Sequence, residues 1–349
     1  MKIGILFGGT SREREIAFAG GRTVYDNLNK SLFEPVPIFV DSLGNLILLD
    51  WQYLYKGTIR DFYPPVDFLP KSEYQFQVYI ESLINHSEIE FEELIQKIGS
   101  PISYTELSDH IDFAFLALHG EWGEDGQVQG LLESLGIPYS GSGIRASSIG
   151  MDKSFQKKVM NAGGFASPEM KILTRENWVN LEWIEQQKQA FLDYSIEEIR
   201  LPLVVRPANQ GSSIGVAIVY HREDLTAAID AAFFIRRLQG ADWLTWTETK
   251  RLSQLRDMTD IRYGIGFPLD ISEAGTEKRD TIYDPEALLI YLDTHFKEKP
   301  ETTLVLEGHQ SEQRVVLEGF IDGREFSCVV IQDEQGEPIA LPPTEILKG

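Results

Sequence analysis

The sequence predicts an α/β protein, with an N-terminal parallel sheet followed by an α+β region, and three stretches carry that expectation. Residues 2–7 are a short apolar run closed by Gly8-Gly9 and followed by helical periodicity through Ile16, Ala17, Val24, Tyr25 and Leu28. Residues 111–118 form a continuous apolar strand of the kind found in a sheet covered on both faces. Residues 203–216 read as a short buried strand, a Gly/Ser-rich turn and a second strand.

Composition bounds the rest. A chain of 349 residues, 42% hydrophobic and 25% charged, is a globular protein long enough for two or three domains. Acidic residues outnumber basic ones 54 to 32, and a net charge of −22 argues against nucleic acid and anionic membranes as partners. A local basic pocket can still oppose that field. The single cysteine, Cys328, rules out an intrachain disulfide and fits a reducing compartment. The start is too short in apolar residues for a signal-peptide core, and no run reaches membrane-spanning length, so a cytoplasmic location is expected.

Thr10 with Glu13 three residues on is a capping-box pattern, so the plain expectation for Glu13 is that it caps its own helix. Strand, glycine turn and helix N-terminus together also make a polar ligand site. Residues 36–40 and 46–49 read as strands. Residues 51–110 form an excursion broken by Pro64-Pro65 and Pro70, with helical patterns at 74–83 and 91–98. The strand at 111–118 delivers His119-Gly120 at its carboxyl end, where ligands sit in open α/β sheets, ahead of the acidic, glycine-punctuated loop 121–127. A helix follows from about 128 to 135, then another strand and turn at 137–143.

Residues 148–162 read as one helix, with Lys153 and Lys157 on one face; two solvated lysines are the plain expectation. Gly163-Gly164 ends it. Residues 174–200 are charged and helical in pattern. In the 203–216 stretch Arg206 stands at the strand mouth before Gly211, Ser212, Ser213 and Gly215, a cation beside backbone that can form an anion-binding concavity. An ordinary hairpin with a polar turn satisfies that stretch taken alone. After a helix at 222–232, no strand is expected until Asp284-Pro285 has opened another helix as N-cap and N1. Strands follow at 303–308, 315–326 and 328–331, with a hairpin turn at 333–336.

Six motifs in order resemble the ATP-grasp superfamily and, within it, the D-alanine–D-alanine ligases. They are Phe7-Gly8-Gly9-Thr10-Ser11 with Glu13-Arg14-Glu15; Ala117-Leu118-His119-Gly120 with Gly123-Glu124-Asp125-Gly126; Tyr139-Ser140-Gly141-Ser142-Gly143; Met151-Asp152-Lys153; the 203–216 stretch; and Glu318-Gly319-Phe320 with Gly323-Arg324-Glu325-Phe326. The resemblance covers about residues 1–220 and 314–349. It implies a substrate-side α/β domain at 1–145 with its excursion at 51–110, and an incomplete ATP-grasp domain. That domain would comprise a central part at 146–232, a long insertion at 233–313, and the adenine-strand region at 314–349. The insertion sits where the family has a short link, and a surface embellishment is the expected reading.

The implied reaction joins two D-alanines at the expense of ATP, through an acyl phosphate, for peptidoglycan precursor synthesis. Mg²⁺ would assist, with D-alanine as the small-molecule partner and a homodimer formed through the first domain. Glu13 would hold the ammonium of the first D-alanine, His119 would lie near its carboxylate, and Ser212 would contact substrate and steady a closing loop through a hydrogen-bond relay from Glu13. Lys153, Arg206, Gly211 and Ser213 would meet the phosphates. Glu318, Phe320 and Ile321 would form the adenine strand, and Glu325 would accept the ribose hydroxyls. Glu307, in Leu306-Glu307-Gly308, mimics Glu318 but lacks the Gly323–Phe326 continuation.

The sequence departs from the family in two ways. Arg206 and Gln210 replace a usual lysine and glutamate, and a planar fork is not a point charge. The family also continues past the position of Gly349 into its lid, an arginine and its Mg²⁺ ligands, so little or no ligase activity is expected of this polypeptide by itself. Two alternatives stand beside the ligase: another ATP-grasp carboxylate–amine ligase, or a non-catalytic binder of nucleotide or partner.

Overall fold

The computed structural model describes residues 1–86, 89–182, 185–276, 278–309 and 311–347. The chain opens with β1 (Lys2–Gly8), α1 (Arg14–Asn27), β2 (Glu34–Val40) and β3 (Leu46–Leu49), then α2 (Phe91–Gln96), β4 (Gly99–Ile102), α3 (Leu107–His110) and β5 (Phe113–Leu116). These strands form one sheet in the order β4-β3-β2-β1-β5. β1 is parallel to both neighbours, with Ile3 opposite Phe113 and Lys2 opposite Glu34. Both faces are covered: Ile3, Ile5, Phe7 and Phe39 enter one apolar core, and Leu6, Ile38, Val40 and Ala114 enter the other. The carboxyl ends of β1 and β5 therefore lie side by side and bring their glycine turns together.

The helix expected at 74–83 does not form; the segment is non-helical apart from a 3-10 turn at Ile80–Leu83. Its side chains are divided between two bodies, Phe76 entering one core while Val78 and Ile80 enter another, which a helical turn would prevent. The strand expected at 137–143 is only a single bridge, Tyr139 to Ala114.

After α4 (Gln127–Leu135) come α5 (Ile144–Met151) and α6 (Lys153–Ala162), two helices where one was expected. Asp152 has an extended backbone (ψ 96°) and its carboxylate accepts from the amides of Ser154 and Phe155, an N-cap that restarts the helix. β6 (Met170–Thr174), α7 (Arg175–Glu182), α8 (Glu185–Ile199), β7 (Leu203–Pro207), β8 (Ala217–Val219) and α9 (Leu225–Ala232) follow.

A strand does come directly after α9. β9 (Ile235–Gln239), α10 (Gly240–Thr245), α11 (Glu248–Thr259), β10 (Leu269–Glu273), β11 (Asp280–Ile282), α12 (Pro285–Glu298) and β12 (Thr303–Gly308) form a body with the sheet order β11-β10-β12-β9. Trp243, Leu269, Leu288, Leu292, Phe296 and Leu304 fill its core. Weak periodicity hid β10 and β11, which are short strands in an antiparallel sheet.

β13 (Arg314–Gly319) then returns to the earlier sheet, pairing antiparallel with both β6 and β7 in the order β6-β13-β7-β8. One face, including Leu173, Val205, Val315 and Leu317, packs with Trp178, Leu192 and Ile229 from the helices. The opposite face carries Arg206 and Glu318 and meets α6. β14 (Glu325–Ser327), β15 (Val330–Gln332), β16 (Pro338–Ala340) and β17 (Thr344–Ile346) make two exposed two-stranded ribbons. Among the described residues no helix is long and apolar enough to cross a membrane.

Candidate functional site

The site is assembled where the two glycine turns of the first sheet meet the Gly/Ser turn between β7 and β8. Ser11 ties the first two together: its hydroxyl donates to the His119 carbonyl at 2.7 Å and accepts from the Glu13 amide at 3.1 Å. Glu13 is 3% exposed and stands just before α1 without a capping bond. Its carboxylate instead accepts from the Ser212 hydroxyl, joining residues 199 positions apart. The capping expectation for Glu13 is thereby replaced by a bond between the two halves of the molecule.

Gly120 and Gly211 make that approach feasible. A Cβ on Gly211 would stand 2.5 Å from the Glu13 carboxylate, and one on Gly120, at φ +73°, would stand 3.0 Å from it. Ser212 (φ 47°) and Ser213 (φ 59°) are both left-handed without being glycine, a strained pair of the kind that gathers at functional turns.

Lys153 reaches the same turn. Its ammonium donates to the Gln210 carbonyl and its amide to the Ala208 carbonyl at 3.0 Å. Burial, with Arg206 nearby, pulls its pKa below the ordinary lysine value. Asn209 is fixed from the other side, where Glu312 accepts from its amide and side chain, each at 3.0 Å. A cavity of about 520 Å³ is lined by Leu118, Glu124, Ser140, Ser142, Lys153 and Gly211. A second, of about 480 Å³, is lined by Thr10, Glu121, Asp152, Asn209, Gln210 and Glu312. Burial first, then Asp125 and Glu312, push the Glu121 carboxyl up.

Arg206 and Glu318 are neighbours, 2.6 Å apart. The β13–β7 register explains it: Val316 faces Arg206 and Glu318 faces Val204, so both polar groups emerge on the same face one step apart. Lys157 from α6 makes a second, buried ion pair to Glu318. Lys157 is therefore not the solvated lysine expected, and sequence reasoning missed its role. Its spacing from Lys153 was the available signal. Glu307 lies in the other sheet, in β12, paired with Arg175 at 3.2 Å and Arg279 at 2.8 Å.

The structure thus brings Glu13, Gly211, Ser212 and Lys153 together, with His119 half-buried on the adjoining turn. Arg206 and Glu318 form a second group beneath α6. Ser213 is exposed at the turn. The amides of Gly319 and Phe320 are committed to the carbonyls of Glu169 (3.1 Å) and Pro202 (3.3 Å). Ile321 is 71% exposed, and Glu325 is exposed on β14.

Comparison with known proteins bears on this arrangement. A family model described as the D-ala D-ala ligase N-terminus matches residues 2–142, and one described as the D-ala D-ala ligase C-terminus matches residues 159–237, together more than half of the chain. The chain belongs to the D-alanine–D-alanine ligase family. A D-alanine–D-alanine ligase of Bacillus anthracis is 32% identical over 234 residues, 67% of this chain and 54% of the relative. One from Caldicellulosiruptor bescii is 33% identical over 233 residues, 67% of this chain and 57% of the relative. The chain thus spans about half the length of the curated relatives it matches. The solved ligase of Coxiella burnetii superposes with a TM-score of 0.55 at 20% identity, over 99% of this chain and 71% of that one. That of Helicobacter pylori gives 0.55 at 18%, over 100% and 75%. The fold is that of these ligases, the ATP-grasp fold.

Proposed function

We propose that this chain carries the substrate and phosphate contacts of an ATP-dependent ligase that joins two D-alanines. The observation that carries the proposal is the Glu13–Ser212 bond, because it sets a carboxylate from the first domain against the turn held by Lys153. In this reading a D-alanine carboxylate oxygen attacks the γ-phosphorus of ATP and ADP departs, leaving an acyl phosphate. The amine of a second D-alanine then attacks the acyl carbon, losing a proton as phosphate leaves. A carboxylate is a poor electrophile, and phosphorylation supplies the leaving group.

The residues take roles that their surroundings favour. Glu13, acceptor-only and buried, suits an ammonium group. His119, whose carbonyl Ser11 ties to the Glu13 turn, would lie near the carboxylate of that substrate. Lys153 suits phosphate oxygens, since anionic oxygens in place of the Gln210 carbonyl would favour an ammonium that burial disfavours. Gly211 and Ser213 offer turn backbone to the phosphates. Arg206 reaches them by exchanging its bond to Glu318, and Glu318, Phe320, Ile321 and Glu325 would frame the nucleoside.

Mg²⁺ has no ligand set of this kind among the described residues, where no group of three or more His, Cys, Asp or Glu side chains is gathered to hold a metal ion. Of the acidic groups lining the second cavity, Asp152 accepts from Ser154 and Arg314, Glu312 from Asn209, and Asp125 from the Trp122 amide.

Calorimetric titration with ATP tests the reading. Saturable binding is expected, weakened about tenfold or more in Lys153→Ala, the worth of one charge-assisted hydrogen bond. No heat on titration, or equal affinity in both proteins, contradicts it.

A further inference from the structure

The body spanning 235–308 grips both halves of the candidate substrate site. On one side is Arg12, the residue before Glu13, itself 3% exposed. Its guanidinium donates to the carbonyls of Ile261 (2.9 Å), Gly264 (2.8 Å) and Ile265 (3.1 Å), on the turn that follows α11. It also lies 3.6 Å from the ring centroid of Phe234. A planar fork turns its N–H edge to several carbonyls while its face lies on a ring, a geometry an ammonium does not share.

On the other side is Ile214, two residues after Ser212. It is fully buried, and it packs into the same core as Phe234, Trp243, Leu255 and Met258. Phe234 links the two grips, stacking under Arg12 and sharing a core with Ile214. A left-handed backbone at Ser212 and Ser213 costs about 1–3 kcal/mol for each residue and persists only where the surroundings over-determine it. The anchor at Ile214 and the bond to Glu13 supply that constraint.

We propose that the 235–308 body is a brace that positions Glu13 and Ser212 against each other, with Arg12 and Ile214 as its two positioning residues. The inference rests on the reading of Glu13 and Ser212 as substrate contacts. The brace holds the 209–215 turn in one place before ligand arrives, which lowers the ordering cost of binding. A surface embellishment would touch neither side of the site; this one touches both.

Hydrogen exchange read by mass spectrometry on the full chain tests it, with wild type, Arg12→Gln, Arg12→Lys and Ile214→Ala compared with and without saturating D-alanine. Amides of 211–216 are expected to exchange about tenfold or more faster in Arg12→Gln and Ile214→Ala, while β12 and β13 keep wild-type protection. Arg12→Lys, which keeps charge without the fork, is expected in between. D-alanine is expected to slow turn exchange in every protein, most in the variants. Unchanged turn exchange in Arg12→Gln and Ile214→Ala overturns the brace, as does a loss of protection spread evenly over β12 and β13. Where a variant unfolds, Ile214→Val, which removes one methyl group, gives the same reading of the turn. Faster turn exchange with no response to D-alanine in any protein upholds the brace and sinks the substrate reading instead.

Discussion

Glu318 shows how a side chain's partners decide its meaning. It is buried between two cations, Lys157 on α6 and Arg206 on β7. Removing its charge leaves Lys157 enclosed without a counter-charge, the case in which breaking a buried ion pair costs about 3–5 kcal/mol. Glu318→Gln is therefore expected to lose that much stability in urea unfolding. Glu325→Gln, at an exposed position, is expected to stay within about 0.5 kcal/mol of wild type. Equal effects would contradict the account. The motif pointed to Glu318, and the four-residue spacing from Lys153 marked the face Lys157 shares, but no local pattern revealed their pairing, because it spans 161 positions and depends on how α6 crosses β13. Arg12 was passed over for the same reason: its partners lie about 250 positions away. Long-range polar contacts leave no periodicity to read.

At the scale of elements, the junction of α5 and α6 places Lys153. A single helix over 148–162 would put Lys153 in mid-helix; the Asp152 cap puts it at the first position of α6, beside Ala208 and Gln210. Apolar spacing continues across the break, which is why it reads as one helix, and the aspartate signals the restart. Burial alone would raise the Asp152 carboxyl. Bonds from Ser154 and the Phe155 amide, with Arg314 at 2.7 Å, outweigh it and hold the pKa below the ordinary carboxylate value. A depressed carboxylate contributes stability that is present above its unfolded pKa, about 3.9, and lost as pH falls through the folded value. Asp152→Ala is accordingly expected to cost about 0.5–2 kcal/mol near neutrality and almost nothing once the cap is protonated in strong acid. Chemical denaturation at both pH values checks it, and a penalty that persists in acid would contradict it. Strands with strong apolar runs, such as β1, β5 and β13, were legible in sequence. The segment at 74–83 was not, since its alternating residues serve two separate cores.

At the scale of the molecule, the first sheet and the β6-β13-β7-β8 sheet are joined through a few polar contacts around one turn, and the 235–308 body closes the third side. The parallel β2-β1-β5 core and the β7–β8 hairpin follow from residue pattern. The interlocking of three bodies does not, because it depends on which buried faces meet. The central claim is that Glu13 and Ser212, from two of those bodies, act as one substrate site. A double-mutant cycle on D-alanine affinity measures it most directly, using wild type, Glu13→Gln, Ser212→Ala and the double variant by calorimetry. Residues acting together are expected to show a coupling of about 1 kcal/mol or more, with the double variant scarcely weaker than the weaker single one. Additive losses, or D-alanine affinity unchanged across all four proteins, would contradict the claim.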